Sequence, residues 1–291
     1  MKIEFRNVSK EYKRGVFGVH NINLTIENGV FGLLGRNGAG KTTLLRLLAT
    51  ILKPTEGQIL FNDMDLKTNS EELRSHLGYL PQNSRLQPSL TAYEYLDYMA
   101  IIKNIKNKQE RKKEVERCLE VVGLNDQKKK KLGAFSGGML RRAGIAQAML
   151  GNPELIIVDE PTTGLDPEER LYFRNFLSKI AVDRSIILST HIISDIENIC
   201  KNVGVMEEGS LLYNGPVDDL VRSVESKVWE CNAPAEKENE IKENATVTAV
   251  SYGEKDSKIR YISENSVYDS SVKKDATLED AYIYTVGGIK R

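Results

Sequence analysis

Three mostly apolar runs in the first 215 residues end abruptly in glycine or in polar residues. The first run covers residues 30–34 and is followed by Gly35. The second covers 155–158 and is followed by Asp159 and Glu160, and the third covers 185–190 and is followed by His191. Continuous apolar runs of this length indicate buried parallel strands. Because ligands bind where such strands end, the three ends predict one shared site.

From about residue 88 to residue 150 the spacing of the apolar residues becomes helical. Thr91 and Glu94 have the spacing of a capping box at the start of one helix. Residues 110–122 form a second predicted helix, which is charged and amphipathic. We therefore expect a helical insert within an α/β body.

The pair Gly215-Pro216 predicts a boundary, because the pattern of the chain changes after it. The elements expected beyond it are strands at 227–231, 246–252 and 259–263 and helices at 233–243 and 277–285. We therefore expect a first domain over residues 1–216 and a small α+β domain over residues 217–291.

Composition and charge narrow the classes of function. Among 291 residues, 41 basic residues balance 41 acidic ones, and a formal net charge of +0 argues against a protein that coats nucleic acid. The N-terminus has no apolar signal segment, and no stretch approaches the ~18 apolar residues of a membrane span, so we expect a cytosolic chain. The cysteines Cys118, Cys200 and Cys231 are far apart, which favours reduced thiols.

Residues 35–42, with the sequence GRNGAGKT, match the pattern G-x4-G-K-[ST] between a predicted strand and a helix expected over 42–49. The glycines let backbone N–H groups turn toward an anion, and the start of the helix adds partial positive charge. Lys41 supplies a charge for the β- and γ-phosphates, and the Thr42 hydroxyl can ligate Mg²⁺. The alternative is an accidental glycine-rich turn, and the strand–loop–helix context argues against it.

Two adjacent carboxylates follow the second apolar run. Asp159 stands where a carboxylate can hold the Mg²⁺ that bridges the phosphates. In an extended chain Glu160 points to the opposite face, where it is free to orient or deprotonate a water. Two solvated acids at a strand end are the alternative, and the preceding phosphate loop makes it the weaker one.

Ser136, Gly137 and Gly138 precede a helix that we expect over about 140–150. Ser136 suits the N-cap position, and the glycines leave the backbone open to an anion. A flexible entry to the helix explains the same residues equally well.

Together these motifs resemble an ATP-binding cassette, the nucleotide-binding subunit of an ABC transporter, over about residues 1–216. The motifs that agree in order and spacing are Gly35 to Thr43, Gln82 in YLPQ, Ser136-Gly137-Gly138, Asp159-Glu160, Gly164-Leu165-Asp166 and His191. The resemblance implies an α/β P-loop NTPase fold with a helical subdomain at about 88–150, followed by the small C-terminal α+β domain. It also implies that two cassettes pack head to tail, so that the signature residues 136–138 of one contact the γ-phosphate held by the other.

The resemblance further implies roles for single residues. Glu160 is the implied catalytic carboxylate, and His191 is the implied switch histidine that contacts the γ-phosphate. Gln82 is implied to sense Mg²⁺ and water and to face the membrane partner, Tyr12 to stack on adenine, and Asp166 to lie between the cassettes. The implied ATP-binding residues are Tyr12, Gly35, Asn37, Gly38, Ala39, Gly40, Lys41, Thr42, Thr43, Ser136, Gly137 and Gly138, and the implied ligands of Mg²⁺ are Thr42, Gln82 and Asp159.

Two segments are similar to bacterial exporter cassettes whose membrane part is a separate chain: residues 139–142 (MLRR) and residues 277–282 (TLEDAY). We therefore expect an ATPase that drives transport, with export favoured, through a transmembrane permease that selects the cargo. A second cassette chain, identical or different, is expected as a partner, nucleic acid is not, and the expected place is the inner face of the membrane. The alternatives are a soluble cassette ATPase that acts on ribosomes or DNA, and a binding module without catalysis.

Overall fold

The computed structural model describes residues 1–84, 86–253 and 256–287, apart from the side chain at position 235. In chain order the strands are β1 (Ile3–Lys13), β2 (Val16–Ile26), β3 (Val30–Leu34), β4 (Glu56–Phe61), β5 (Met64–Asp65), β6 (Leu77–Leu80), β7 (Leu155–Asp159), β8 (Ser185–Thr190), β9 (Asn202–Glu207), β10 (Ser210–Pro216), β11 (Val228–Pro234), β12 (Thr246–Tyr252), β13 (Asp256–Ile262) and β14 (Val272–Lys273). The helices are α1 (Lys41–Leu48), α2 (Ser70–His76), α3 (Ala92–Ile102), α4 (Lys108–Val121), α5 (Gly137–Ala148), α6 (Pro167–Ile180), α7 (Ile193–Ile199), α8 (Val217–Arg222), α9 (Glu238–Asn244) and α10 (Leu278–Gly287).

The three apolar runs of the sequence form neighbouring strands of a six-stranded sheet, in the order β10-β9-β3-β8-β7-β6. From β9 to β6 the neighbours are parallel, and β10 pairs antiparallel with β9. Every residue of β7 and β8 is buried, which explains their continuous apolar sequence. The predicted parallel strands are therefore confirmed, and the carboxyl ends of β3, β7 and β8 meet at one edge.

The two faces of this sheet belong to different apolar cores. Leu155 and Ile157 of β7 pack with α1 and with an antiparallel sheet of order β2-β1-β4-β5. Ile156 and Val158 of the same strand pack toward α5 and α6. The alternation follows from the period of two along a strand, and it fixes which helices lie next to the strand ends.

The predicted helical insert is confirmed as α3, α4 and α5. The capping box at the start of α3 is formed in both directions: Thr91 Oγ1 accepts from Glu94 N, and Thr91 N donates to the Glu94 carboxylate. Helix α5 begins at Gly137, three residues before the start that we expected, because Ser136 caps it by accepting a hydrogen bond from Met139 N.

The last part of the chain adds an antiparallel sheet of order β12-β13-β11-β14. The helix expected over 233–243 is wrong at its start, because Ala233 is buried in β11 opposite Ser257 and the α-helix begins at Glu238. Helix α10 contacts α7, α8, β9 and β10 as well as β12 and β13. Its residues Leu278 and Ala281 belong to the same apolar core as α5 and α6.

None of the helices in the described ranges has both the length and the apolar character that are needed to cross a bilayer.

Candidate functional site

The loop between β3 and α1 closes around the side chain of Lys41, which is buried. Lys41 Nζ donates to the carbonyl oxygens of Gly35 at 2.6 Å and Arg36 at 3.1 Å. Gly40 is the N-cap of α1 with a φ of 101°, and a Cβ there would lie 2.4 Å from the Gly18 carbonyl oxygen. Only glycine fits at this position, because a side chain would collide with that carbonyl group. The N-terminus of α1, which follows directly, is a place where an anion can bind.

A cleft of about 330 Å³ lies over this loop. Gln82, from the segment after β6, and Glu160, from the segment after β7, line the cleft together with the phosphate loop and Gly18. The structure thus brings together the predicted phosphate loop and two of the three predicted catalytic residues, Gln82 and Glu160. The third, His191, reaches the site through a contact with Glu160.

Glu160 joins the other predicted groups. Its Oε1 lies 3.1 Å from Lys41 Nζ. Its Oε2 lies 2.7 Å from His191 Nδ1 and accepts a hydrogen bond from Thr163 Oγ1 at 3.0 Å. The expectation that an extended chain carries Glu160 to the opposite face is wrong, because its φ is 48°, and this left-handed backbone accompanies a carboxylate turned toward Lys41.

Asp159 is fully buried, and neither carboxylate oxygen forms a well-shaped hydrogen bond within the described part of the chain. Burial raises the pKa of Asp159, the neighbouring Glu160 acts in the same direction, and the nearby hydroxyls of Thr42 and Ser189 and the charge of Lys41 oppose the shift. A buried carboxylate whose oxygens form no well-shaped hydrogen bond, next to a threonine hydroxyl, is a donor set that suits Mg²⁺. Of the residues predicted to hold the metal, Asp159 and Thr42 therefore fit it, and Gln82 stays a prediction.

Tyr12 lies beside the phosphate loop, and its side chain is 50% exposed. Its hydroxyl is 3.1 Å from Thr43 Oγ1. A Cβ at Gly18 would lie 2.6 Å from the Tyr12 ring, so Gly18 makes room for the ring. The ring is exposed, so the adenine stacking that the resemblance implies stays a prediction that the structure permits. The close approach of Gly18 to this ring was not predicted.

The signature residues lie apart from this cleft, because none of the described residues that line it comes from 136–138. A Cβ at Gly137 would meet no atom within 4 Å. A Cβ at Gly138 would lie 2.5 to 2.9 Å from the carboxylate atoms of Glu169, which pairs with Arg142 at 3.2 Å. The start of α5 is thus open at Gly137, while the Glu169 side chain packs closely against Gly138.

Comparison with known proteins places this site in a family. The family model described as ABC transporter matches residues 19–163. The bacitracin transport ATP-binding protein BcrA of Enterococcus faecalis is 38% identical over 221 residues, which cover 75% of this chain and 70% of that protein. The ABC transporter ATP-binding protein NatA of Bacillus subtilis is 34% identical over 221 residues, covering 75% of this chain and 89% of that protein. This chain belongs to the ABC transporter ATP-binding proteins.

Solved ABC cassettes have the same fold. One of them is a dimeric ATP-binding cassette in a post-hydrolysis state, bound to ADP and Pi. It superposes with a TM-score of 0.67 at 27% identity, and the match covers 74% of this chain and 98% of the cassette chain. The cbiO1 protein of Clostridium perfringens, part of the ABC transporter complex cbiONQ, has a TM-score of 0.68 at 30% identity, with 76% and 93% covered. The predicted P-loop NTPase cassette is therefore confirmed, and the chain is an ATPase.

A second cleft of the cassette, of about 440 Å³, lies between the Gln82 segment, α5 and the segment after β7. Arg141 of α5 lines it and donates to two backbone carbonyl oxygens, that of Gln82 at 3.1 Å and that of Glu160 at 2.9 Å. In the sequence, Arg141 is distinguished only as part of the exporter-like segment 139–142. No local pattern identifies its contacts, because both acceptors are main-chain atoms distant in sequence.

Asp195 of α7 was also missed. It is fully buried and accepts hydrogen bonds from the hydroxyls of Thr162 and Thr190. Thr162 follows Glu160 by two residues, and Thr190 precedes His191. Asp195 therefore joins the two segments that carry the catalytic candidates, and a polar position in the first turn of α7 was the only sequence signal for it.

Proposed function

We propose that this chain is the ATP-hydrolysing subunit of an exporter and that it works as one of two head-to-tail cassettes on a separate transmembrane permease. The observation that carries the proposal is the position of Glu160, whose carboxylate contacts both Lys41 of the phosphate loop and His191. A carboxylate in contact with both groups is suited to act as a base on a water next to the last phosphate of a nucleotide held by that loop.

In the proposed reaction, ATP binds over the phosphate loop and its γ-phosphate competes with Glu160 for the charge of Lys41. Glu160, released from that ion pair and still oriented by His191 and Thr163, accepts a proton from the attacking water. The oxygen of the water bonds to the γ-phosphorus while the bond from that phosphorus to the bridging oxygen breaks, which yields ADP and phosphate. Alignment and charge stabilisation supply most of the catalysis.

Thr42, Gln82 and Asp159 are the residues that we propose to hold Mg²⁺. When bound, Mg²⁺ neutralises charge on the β- and γ-phosphates. The lack of well-shaped hydrogen bonds at the buried Asp159 oxygens supports this assignment. We propose that the exposed Tyr12 ring stacks on adenine.

The dimer is supported by the position of the signature. Residues 136–138 do not line the cleft over the phosphate loop of their own chain, and a Cβ at Gly137 would meet no atom within 4 Å, which leaves room for an anion. A solved cassette at 27% identity is a dimer with ADP and Pi. We propose that the signature of one chain completes the cleft of the next.

Export is supported by the segments 139–142 and 277–282, which resemble exporter cassettes.

Tyr98, Ile101 and Ile102 form an exposed apolar surface on α3 that suits contact with a membrane subunit. The proposal implies that the chain lies on the inner face of the membrane, with residues 1–216 as the cassette and 217–291 as a second domain. This second domain has an apolar core of its own, whose buried residues lie in the sequence from Cys231 to Tyr261.

The Glu160→Gln variant tests the catalytic role. We expect it to bind ATP, to stop turnover and to accumulate as a dimer in ATP, because glutamine keeps the size of the side chain and removes the base. Turnover is measured by phosphate release and the dimer by light scattering after size exclusion, with Glu120→Gln, an exposed carboxylate of α4, as the control. Hydrolysis at the rate of the unmodified protein would refute the role of Glu160.

Purification of the tagged chain from membranes tests the transport role. A co-purified multi-span protein supports it, whereas ribosomes or DNA in its place contradict it. Inverted membrane vesicles then test the direction, because export moves cargo into their lumen on addition of ATP. ATP-driven loss of cargo from inverted vesicles would refute export and leave the ATPase assignment intact.

A further inference from the structure

We infer that Arg141 is a positioning residue that ties the signature helix α5 to the Gln82 and Glu160 segments of its own chain. Its guanidinium donates from one nitrogen to the Gln82 carbonyl oxygen at 3.1 Å and from the other to the Glu160 carbonyl oxygen at 2.9 Å. Gln82 follows β6 and Glu160 follows β7, so one side chain fixes three segments of the chain relative to each other.

The chemistry of the side chain suits this task. A guanidinium is planar, always charged, and presents its donors in a rigid fork, whereas a lysine ammonium cannot reach two acceptors in the same fixed geometry. Arg141 is partly buried: burial lowers its pKa, and the nearby carboxylates of Asp159 and Glu160 oppose that shift. The charge of Arg141 is near the carboxylates of Asp159 and Glu160 but forms no ion pair with either in the described structure.

Arg141 stands five residues after Ser136, on the helix that the signature begins. In the proposed dimer, that signature contacts the nucleotide of the partner chain, while Glu160 acts on the nucleotide of its own chain. A rigid tie between α5 and the Glu160 backbone therefore links the two nucleotide sites. This consequence rests on the proposed function, whereas the tie itself does not.

Both acceptors are main-chain atoms, so variants of the Gln82 or Glu160 side chains leave the tie in place, and only Arg141 variants remove it. We expect Arg141→Gln to lower kcat for ATP about tenfold to hundredfold, since small displacements of a positioned group have effects of that size. We expect KM for ATP to stay within about twofold, because Arg141 donates to no residue of the phosphate loop. Arg141→Lys, which keeps the charge, should recover part of kcat.

A distance measurement tests the tie without ATP. The native cysteines Cys118, Cys200 and Cys231 are buried, so spin labels react selectively at introduced cysteines. Lys112→Cys on α4 and Lys67→Cys after β5 place labels at exposed positions on the helical insert and on the rest of the cassette. In nucleotide-free protein, Arg141→Gln should broaden the distribution of distances between the two spin labels, as measured by pulsed electron paramagnetic resonance.

Arg117→Gln is the matched control, because Arg117 of α4 donates to the Met149 carbonyl oxygen at 3.2 Å and to Glu114, all within the helical insert. It removes a guanidinium–carbonyl contact without touching the Gln82 or Glu160 segments. A broader distribution and a lower kcat in Arg141→Gln, with neither change in Arg117→Gln, support the inference. An unchanged distribution, an unchanged kcat, or equal changes in both variants would overturn it.

The two proposals can fail separately. If the unmodified protein hydrolyses no ATP, the proposed function is wrong, and the distance measurement still decides whether Arg141 holds α5. If Arg141→Gln does not fold, the same measurements on Arg141→Lys decide the question, because that variant also loses the fork geometry.

Discussion

Replacing Asp280 with asparagine should loosen the attachment of α10 to the C-terminal sheet. Asp280 is almost fully buried in the first turn of α10. Its carboxylate accepts hydrogen bonds from Arg260, with the shortest at 2.6 Å, from Thr248 Oγ1 at 2.8 Å, and from Thr277 N at 2.9 Å and Thr277 Oγ1 at 2.8 Å. Asparagine has nearly the same shape, but it loses the charge and turns one acceptor into a donor that faces other donors.

The expected cost follows from the burial of this ion pair. Removing one charge of a buried pair costs about 3–5 kcal/mol, because the other charge is left without compensation. The side chain of Arg260 is 20% exposed, so water compensates part of the loss, and we expect the lower end, about 3 kcal/mol in the free energy of unfolding.

The dependence on pH has a definite sign. Burial opposes ionisation of Asp280, but the hydrogen bonds from Arg260, Thr277 and Thr248 outweigh it and hold its pKa below the ordinary value of 3.8. A carboxylate whose pKa is lowered by folding stabilises the folded state above its unfolded pKa, and that contribution is lost as the pH falls through the folded pKa. The gap in stability between the unmodified protein and Asp280→Asn should therefore be constant near neutral pH and shrink in acid.

Urea denaturation followed by tryptophan fluorescence measures the effect, since Trp229 is the one tryptophan of the sequence and lies on β11 of the same sheet. Glu279→Gln removes an exposed carboxylate from the neighbouring position of α10 and serves as the control. Unfolding of Asp280→Asn at the urea concentration of the unmodified protein, or an equal shift in Glu279→Gln, would show that the buried pair does not stabilise this region.

Two further substitutions probe the nucleotide site. Lys41→Ala should abolish ATP binding or hydrolysis, because it removes the buried ammonium of the phosphate loop. Titration with a fluorescent ATP analogue measures the affinity. Unchanged affinity together with unchanged turnover would contradict the role of Lys41. Ser136→Ala removes the hydroxyl that accepts a hydrogen bond from Met139 N, which should destabilise α5 by about 1 kcal/mol. The same substitution should slow ATP turnover, because it weakens the proposed contact with the partner's nucleotide. If the turnover of Ser136→Ala equals that of the unmodified protein, the head-to-tail arrangement is wrong.

The parallel strands could be predicted from sequence because burial on both faces leaves a continuous apolar run. The antiparallel sheet could not, since its long strands β1 and β2 are only half buried and their register shifts repeatedly. Asn7 and Asn21 adopt positive φ within these strands, which further breaks the alternation. Ala233 was misassigned to a helix because the charged residues after it resemble an exposed helix, whereas its pairing with Ser257 is a long-range contact.

At the site, the side chains that could be predicted from sequence are those that local motifs define. Lys41 begins α1 in the loop segment that follows β3, and Glu160 follows β7 directly. The parallel sheet brings the ends of these two strands to one edge, and the parallel sheet was itself predictable. The direction of the Glu160 side chain was not predictable, because it depends on a left-handed backbone conformation that a glutamate rarely adopts. Arg141 and Asp195 act through acceptors and donors distant in sequence, so their contacts exist only in the folded chain.

Helix α10 has a consequence for experiments that shorten the protein. Leu278 and Ala281 fill the same apolar core as Val224 and Ile262, so deletion of the last helix uncovers interior surface instead of releasing a separate module. A truncated protein that is degraded or insoluble then says nothing about what the tail does. Its role is better examined with full-length protein and substitutions at exposed tail positions such as Tyr252 and Val272.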